Sequence, residues 1–436
     1  MVNGSFVFAE GARALKRRNH WILFVVLLLS LTILSPSLDL VQDQTKEERD
    51  DVTDIFSVPA PETTHKNKPL SVLVSMDDEE YEIFQSFAMN TAKEIGMEIT
   101  ITNIETADFY SAFKETFMMG ESPDTLLIDN RYIKWYAKKG YARPMTGGDG
   151  NIAAGDSFDS ALRAGEWNGY LWSIPMDIDP YVYAEYRNEE TSKEPLQSTS
   201  TRDEWVSRFT GWGERLNKPF YFNGEDPVAY ASWLTFLGIY SDVSHVFELN
   251  DEQEEDALQQ IQAIQPLFSY IKTERYNLSS VSADFQAGII TLSELIPVHR
   301  QELSSYINND VKSQSLAVKG RSFIISPKST QKEATVEFLT KLTSPKSAKN
   351  WFTLSGKLPV YSTLYTDPDL SDITNAIPLQ ALEESMEESL TQDENHVLSD
   401  PEKSWAAAET IEQFIHGQLS LEEYDVQLGL LMTDSR

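Results

Sequence analysis

Two aspartates, Asp177 and Asp179, flank Ile178 shortly after Ile174-Pro175. An i, i+2 spacing puts both carboxylates on one face of an extended segment. Paired carboxylates suit two chemistries. In a retaining glycosidase they stand about 5–5.5 Å apart and act as acid and nucleophile. In a binding site they accept hydrogen bonds from ligand hydroxyls. A hydrated loop explains the same spacing. The chain has 68 acidic residues, so one pair by itself carries little weight for catalysis. It contains no G-x-S-x-G, H-E-x-x-H, Walker A or EF-hand pattern. His20, His65, His245, His299, His396 and His416 show no metal-ligand spacing. Gly147-Gly148-Asp149-Gly150 reads as a turn, because no strand leads into it. The residues therefore call for no catalytic centre, metal or cofactor.

Aromatic residues point to a ligand with flat apolar faces. Sixteen of them lie between Trp167 and Tyr240, about twice the chain average of 11%. Such rings stack on sugar rings, and planar polar groups meet the hydroxyls. Trp205, Phe209 and Trp212 sit on or just beyond a helix and read as core. Tyr230 and Trp233 follow the loop YFNGEDP and are the better candidates to face a cleft. A third group, Asp129, Asn130 and Arg131, follows the buried strand DTLLI at 124–128. Ligands of open α/β sheets bind outside the carboxyl ends of strands. Ordinary loop polarity is the competing explanation for these three.

The elements that must position these residues form an α/β pattern. SVLVS at 71–75 reads as a strand, Glu79–Ile95 as a helix stopped by Gly96, and Met97, Ile99 and Ile101 as a second strand. Strand, helix, strand implies a parallel sheet. Phe109, Phe113 and Phe117 mark a second helix near Asp108–Met118. Farther on, Thr330 and Glu333 form a capping-box pattern before a helix at 331–342. Ser344-Pro345 opens the next helix and Gly356 ends it. Residues 376–398 read as an acidic helical stretch. Trp405, Ala408, Ile411 and Ile415 share one helical face closed by Gly417, and Ser420 with Glu423 caps a last helix.

Composition bounds the rest. The chain has 436 residues, 41% apolar and 24% charged, which is enough for two globular domains. A net charge of −32 repels nucleic acid. There is no cysteine, which rules out disulfides and a lipid-modified N-terminal cysteine. Lys16, Arg17 and Arg18 precede the uncharged run Trp21–Leu34, and the apolar character continues to Leu38 past Ser35, Pro36 and Ser37. Basic residues stay cytoplasmic, so the remainder faces outward. Two readings stay open: a signal peptide cleaved after Ser37, and an uncleaved signal anchor. The residues divide into a basic tail (1–19), this apolar segment (20–38) and an acidic, proline-containing tether (39–69).

Six segments, in order, carry a resemblance: SPDTLLIDN with WYAKKGYARPM; WNGYLWSIPMDIDPYVYAEYRN; TRDEWVSRFTGWGERL; ADFQAGIITLSE; SFIISPKSTQKEATVEFLTKLTSPKSAKNWFTLSGKLPVYSTL; and IEQFIHGQLSLEEY. In these the chain, from 70 to 431, resembles family 1 extracellular solute-binding proteins, the maltose- and oligosaccharide-binding components of ABC importers. The resemblance implies an α/β, two-lobed, periplasmic-binding-protein-like fold with a hinge and an interlobe ligand cleft. It implies lobe 1 at 70–178 and 322–375, and lobe 2 at 179–321 and 376–436. It places Asp177, Asp179 and Tyr181 at the interlobe crossover beside the ligand, and Asn130 or Arg131 on the first lobe's side. The implied partners are a small-molecule ligand of the oligosaccharide class, ABC permease subunits, and the membrane if the N-terminal segment is retained. The chain departs from the family's pattern at SELIP after the fourth motif and in the missing lipobox cysteine. That absence leaves a membrane-anchored sensing protein as an alternative, and the aspartate pair leaves a secreted carbohydrate-active enzyme as a third.

Overall fold

The computed structural model describes residues 68–145, 156–185, 201–247, 251–273, 286–299, 317–390 and 396–433. The chain divides into two units, 1–64 and 65–436, and all described residues belong to the second. The basic tail, the 20–38 segment, nearly all of the tether, the glycine turn at 147–150 and most of the 188–202 segment lie outside the described residues. Among the described residues no helix is long and apolar enough to cross a membrane.

The first half is a right-reading β-α-β-α-β run. Strand β1 (Leu70–Val74), helix α1 (Asp78–Glu94), β2 (Ile99–Asn103), α2 (Thr106–Met119) and β3 (Thr125–Asp129) follow one another. β1 pairs in parallel with β2, from Leu70↔Ile99 to Val74↔Asn103, and with β3 at Val72↔Thr125. The Asp77 carboxylate starts α1 by accepting the Glu80 N–H at 2.8 Å. Gly96 ends it at φ +70°, a left-handed conformation in which a side chain would be strained. A turn at Asn130–Tyr132 then leads to α3 (Ile133–Lys138), and α4 (Asp159–Ala164) precedes a small hairpin of β4 (Glu166–Trp167) and β5 (Tyr170–Leu171).

The long strand β6 (Ser173–Glu185) joins the halves and is buried throughout. It contains Pro175 and Pro180, unusual for a central strand because proline donates no ladder hydrogen bond. Both sit where the ladder is broken. The register against β10 (Val318–Ile325) shifts between Arg321 and Ser322, so Met176 is extra between Asp177 and Pro175. At Pro180 the pairing with β10 ends, and from Tyr181 the partner is β9 (Ala287–Thr291). Between β6 and β9 come α5 (Arg202–Gly213), β7 (Phe220–Phe222), α6 (Pro227–Phe236), α7 (Asp251–Ile264) and β8 (Ile271–Lys272); α8 (Leu292–His299) follows β9. The complete strand order is β2-β1-β3-β10-β6-β9-β7-β8. The chain closes with α9 (Lys332–Leu342), α10 (Pro345–Ser355), α11 (Ser371–Ala376), α12 (Leu379–Leu390), α13 (Pro401–Ile415) and α14 (Leu421–Thr433).

Helices cover both faces of each half. Phe84, Phe338 and Trp351 pack on one side of the β1–β3 region, and Phe113, Ile133 and Tyr136 on the other. In the second half Tyr183, Phe222, Trp233 and Phe414 share one core, while Val182, Tyr221, Leu295 and Phe352 share another. Each such side chain contributes about 1.5–3 kcal/mol by leaving water. The Ser420–Glu423 capping box is present, with the Ser420 Oγ accepting the Glu423 N–H at 3.2 Å. The one expected at Thr330 is not. α9 starts after Gln331, whose φ −116°, ψ 42° is not the extended conformation of a capping residue, and no side chain caps it.

Candidate ligand-binding site

Five strands deliver their carboxyl-terminal loops to one place. Residues of the Ser75–Glu80 segment after β1, the start of α2 after β2, Asp129, Arg131 and Tyr132 after β3, the Asn223–Pro227 segment after β7 and the Thr291–Glu294 segment after β9 line a cavity of about 950 Å³. Its floor is the middle of β6 and β10, and the start of α13 and the end of α10 with Lys357 add further walls. This is the location the topology of a parallel sheet provides for a ligand. The volume lies within the range of small-molecule sites.

Two ionic networks organise it. The first centres on Asp226, the N-cap of α6 and 6% exposed. Its Oδ2 accepts from the Tyr181 hydroxyl at 2.8 Å and from Lys319 Nζ at 3.0 Å. Its Oδ1 accepts the Val228 N–H at 3.0 Å and faces Arg131 Nη1 at 3.5 Å. Arg131 is held from behind by Asp129, through Nε at 3.0 Å and Nη2 at 2.7 Å. Burial by itself raises the Asp226 pKa, but Lys319, Arg131 and the Tyr181 hydroxyl outweigh it and hold the group far below the usual carboxylate range. Burial and the neighbouring Asp226 charge push the Tyr181 hydroxyl well up, so it stays protonated and donates.

The second network runs along β6. Arg321 and Asp177 face each other across the ladder and pair through two bonds of 3.0 and 2.5 Å. Trp351 Nε1 also donates to Asp177, at 2.8 Å, and Arg321 reaches Glu80 at 2.7 Å. Asp179 accepts from Lys357 Nζ at 2.9 Å, the Ser293 N–H at 2.9 Å and the Ser293 Oγ at 2.6 Å. Burial opposes the Lys357 charge, yet Asp179 and Glu80 raise its pKa. Each aspartate is thus held by a basic side chain and by at least one further hydrogen-bond donor.

Apolar faces complete the cavity. Tyr110 and Tyr132 come from the first half and Trp405 from α13, each half-buried. The two walls also touch directly. Tyr132 donates from its hydroxyl to Ser404 Oγ at 3.1 Å, and Trp135 Nε1 donates to Asp400 Oδ2 at 2.9 Å.

The residues singled out from sequence separate into three groups. Asp129, Arg131, Asp177, Asp179 and Tyr181 line the cavity together. Asn130 lies beneath it: its Oδ1 accepts the Ser322 hydroxyl at 2.6 Å, and its Nδ2 sits 2.4 Å from where a Cβ on Gly320 would be. Tyr230 and Trp233 do not face the cavity. Both are fully buried, because α6 is enclosed on every side and they point into the aromatic core with Phe222, Phe268 and Tyr424. Trp405, assigned from its periodicity to the apolar face of α13, instead borders the cavity, while Ala408, Ile411 and Ile415 are buried. Glu80, Asp226, Lys319, Arg321 and Lys357 were not anticipated. For Asp226 a signal existed, an aspartate directly before a proline at a helix start. Lys319 and Arg321 also gave one, as charges two apart in the strand VKGRSFII. Glu80 and Lys357 gave none.

The bacterial extracellular solute-binding protein family matches residues 82–377. No curated protein matches the chain. Among solved structures, the GacH receptor of Streptomyces glaucescens, studied unliganded and with acarbose, superposes at TM-score 0.65 with 14% identity, over 85% of this chain and 100% of its own. A solute-binding protein of an ABC transporter from Thermotoga lettingae, bound with α-D-tagatose, gives the same four values. Maltose-bound MalE3 of T. maritima superposes at 0.64 with 15% identity, over 84% and 99%. These likenesses establish the two-lobed α/β fold.

Proposed function

The chain belongs to the bacterial extracellular solute-binding proteins, and from that premise we propose that its cleft captures a carbohydrate or related polyol for an ABC importer. The observation that carries this is the pairing of aromatic faces with fixed polar groups in one 950 Å³ cavity. Tyr110, Tyr132 and Trp405 offer faces for the apolar side of a sugar ring. The carboxylates and cations of the two networks offer acceptors and donors for hydroxyls, already held in position and so needing little ordering on binding. Relatives in fold bind maltose, tagatose and acarbose, as named above.

The protein binds without catalysis. Asp177 and Asp179 are each neutralised by a cation and hydrogen-bonded by a second donor, which favours a scaffolding role over proton transfer. The lobes divide at 70–178 with 322–375, and 179–321 with 376–436. The change of partner along β6 at Pro180 supports a hinge there, about which the lobes close on ligand. The permease is the receiving partner. The run from Trp21 to Leu38 behind Lys16, Arg17 and Arg18 directs the rest of the chain out of the cytoplasm, anchored at the membrane if the run is kept and released if it is cleaved after Ser37.

The test is calorimetry of purified residues 40–436 against mono- and oligosaccharides and polyols, with product analysis of each mixture. Saturable binding without hydrolysis is expected. Silence across the panel removes the carbohydrate reading; hydrolysis abolished by Asp179→Asn replaces it with an enzyme.

A further inference from the structure

Among the described residues four cationic side chains line the cavity, Arg131, Lys319, Arg321 and Lys357, and each lies within 4 Å of carboxylates of the same chain. Arg131 and Arg321 are each shared between two of them. Helix N-termini aimed at a cavity are the other usual anion sites. Here those of α1, α6 and α13 are capped internally, by Asp77, Asp226 and Asp400, and that of α2, which no side chain caps, carries Glu105 before it and Asp108 in its first turn. An anionic ligand would have to displace a carboxylate from a buried ion pair, which leaves that group uncompensated.

The negative features are not balanced in this way. Among the described residues the lining contains eleven carboxylates against four cations. Four of the carboxylates are exposed and stand on both lips: Asp78 and Glu79 in the first turn of α1, Glu225 before α6 and Glu402 in α13. A cleft lined by one sign of charge, with apolar walls, concentrates solutes of the opposite sign.

We infer, within the reading of this cleft as a polyol site, that it selects by charge: a polyhydroxylated solute bearing a protonated amine is taken in preference to its neutral counterpart, and the carboxylate counterpart is refused. Screened interaction with four lip charges about 8 Å away sets a step of roughly fourfold in affinity between successive charge states at 0.15 M salt. The step widens at low salt.

The experiment uses a matched trio of open-chain maltotetraose derivatives: 1-amino-1-deoxymaltotetraitol, maltotetraitol and maltotetraonate. Affinities are measured at 20 and 300 mM salt. A second arm compares thermal stabilisation by spermidine and by citrate, which needs no sugar recognition. The order amine, alcohol, acid, converging at high salt, is expected, with spermidine stabilising more than citrate. Combining Asp78→Asn, Glu79→Gln, Glu225→Gln and Glu402→Gln should flatten both preferences at an unchanged melting temperature. If the trio binds without that order, the inference is overturned while the carbohydrate reading stands. If none of the trio binds, a spermidine preference lost in the quadruple variant upholds the inference, and equal or reversed responses overturn it.

Discussion

Replacing Asp226 tests the electrostatic logic of the site most directly. It is 6% exposed and holds Lys319 at 3.0 Å, Arg131 at 3.5 Å, the Tyr181 hydroxyl at 2.8 Å and the first turn of α6. At an effective dielectric of about 20, a unit charge 3 Å away attracts by roughly 5 kcal/mol. Desolvation of the ions cancels much of that, but removing one partner strands the other, at a cost of about 3–5 kcal/mol. Asp226→Asn keeps the shape and an oxygen for the α6 cap, while its amide NH2 takes the place of the oxygen that accepts from Tyr181, whose hydroxyl can then accept instead; a loss near 3 kcal/mol is expected. Asp226→Ala also removes the cap, worth about 1 kcal/mol more. With an unfolding entropy of about 2.1 cal/mol/K per residue, these losses lower the melting temperature by roughly 3–5 °C. Calorimetry on the single variants, on Lys319→Met and on Asp226→Asn/Lys319→Met closes a double-mutant cycle. The double variant should recover at least half of the Asp226→Asn loss, because no lysine is then stranded. A loss under about 1 kcal/mol for Asp226→Asn, or no recovery in the double variant, would refute the claim that this carboxylate is there to neutralise the cations. The depressed pKa adds a pH signature. The contribution is complete above the unfolded aspartate pKa, near 4, and fades as pH falls toward the native value, so Asp226→Asn and wild type should converge in acid.

Two tryptophans should behave oppositely: Trp405→Ala should weaken ligand about tenfold or more with little change in stability, whereas Trp233→Ala should cost about 3–5 kcal/mol of stability through a cavity in the core. Calorimetry and denaturant titration separate the two, and equal ligand affinity for Trp405→Ala would remove it from the site. At the alkaline end, burial pushes Tyr132 up to about 12, only partly offset by Arg131. That raised value means its stabilising contribution is complete below about pH 10 and lost as pH rises through 12, so Tyr132→Phe should reduce the fall in melting temperature over that range. An identical alkaline fall in both proteins would count against a buried, neutral Tyr132.

The sequence by itself determined the local elements, because their signals are local. The apolar period of α1, the left-handed Gly96 that ends it, the Ser344-Pro345 start of α10 and the alternation of β2 all depend on neighbours within a few residues. The same reasoning placed Asp129 and Arg131 at a strand end and Asp177 and Asp179 on one strand face, and the family resemblance added Tyr181; all five line the cavity. What only tertiary structure decided is which side of a buried element meets the cavity. Helix α6 is apolar all round, so its periodicity gives no inward direction, and Tyr230 and Trp233 became core. Helix α13 has a clear apolar face, yet Trp405 lies at its edge, where the opposite wall decides between core and cleft. The ion pairs belong to the same class. Lys319 answers Asp226 and Lys357 answers Asp179 across separations of 93 and 178 residues. A charge meets its partner through space, and no spacing along the chain records that distance.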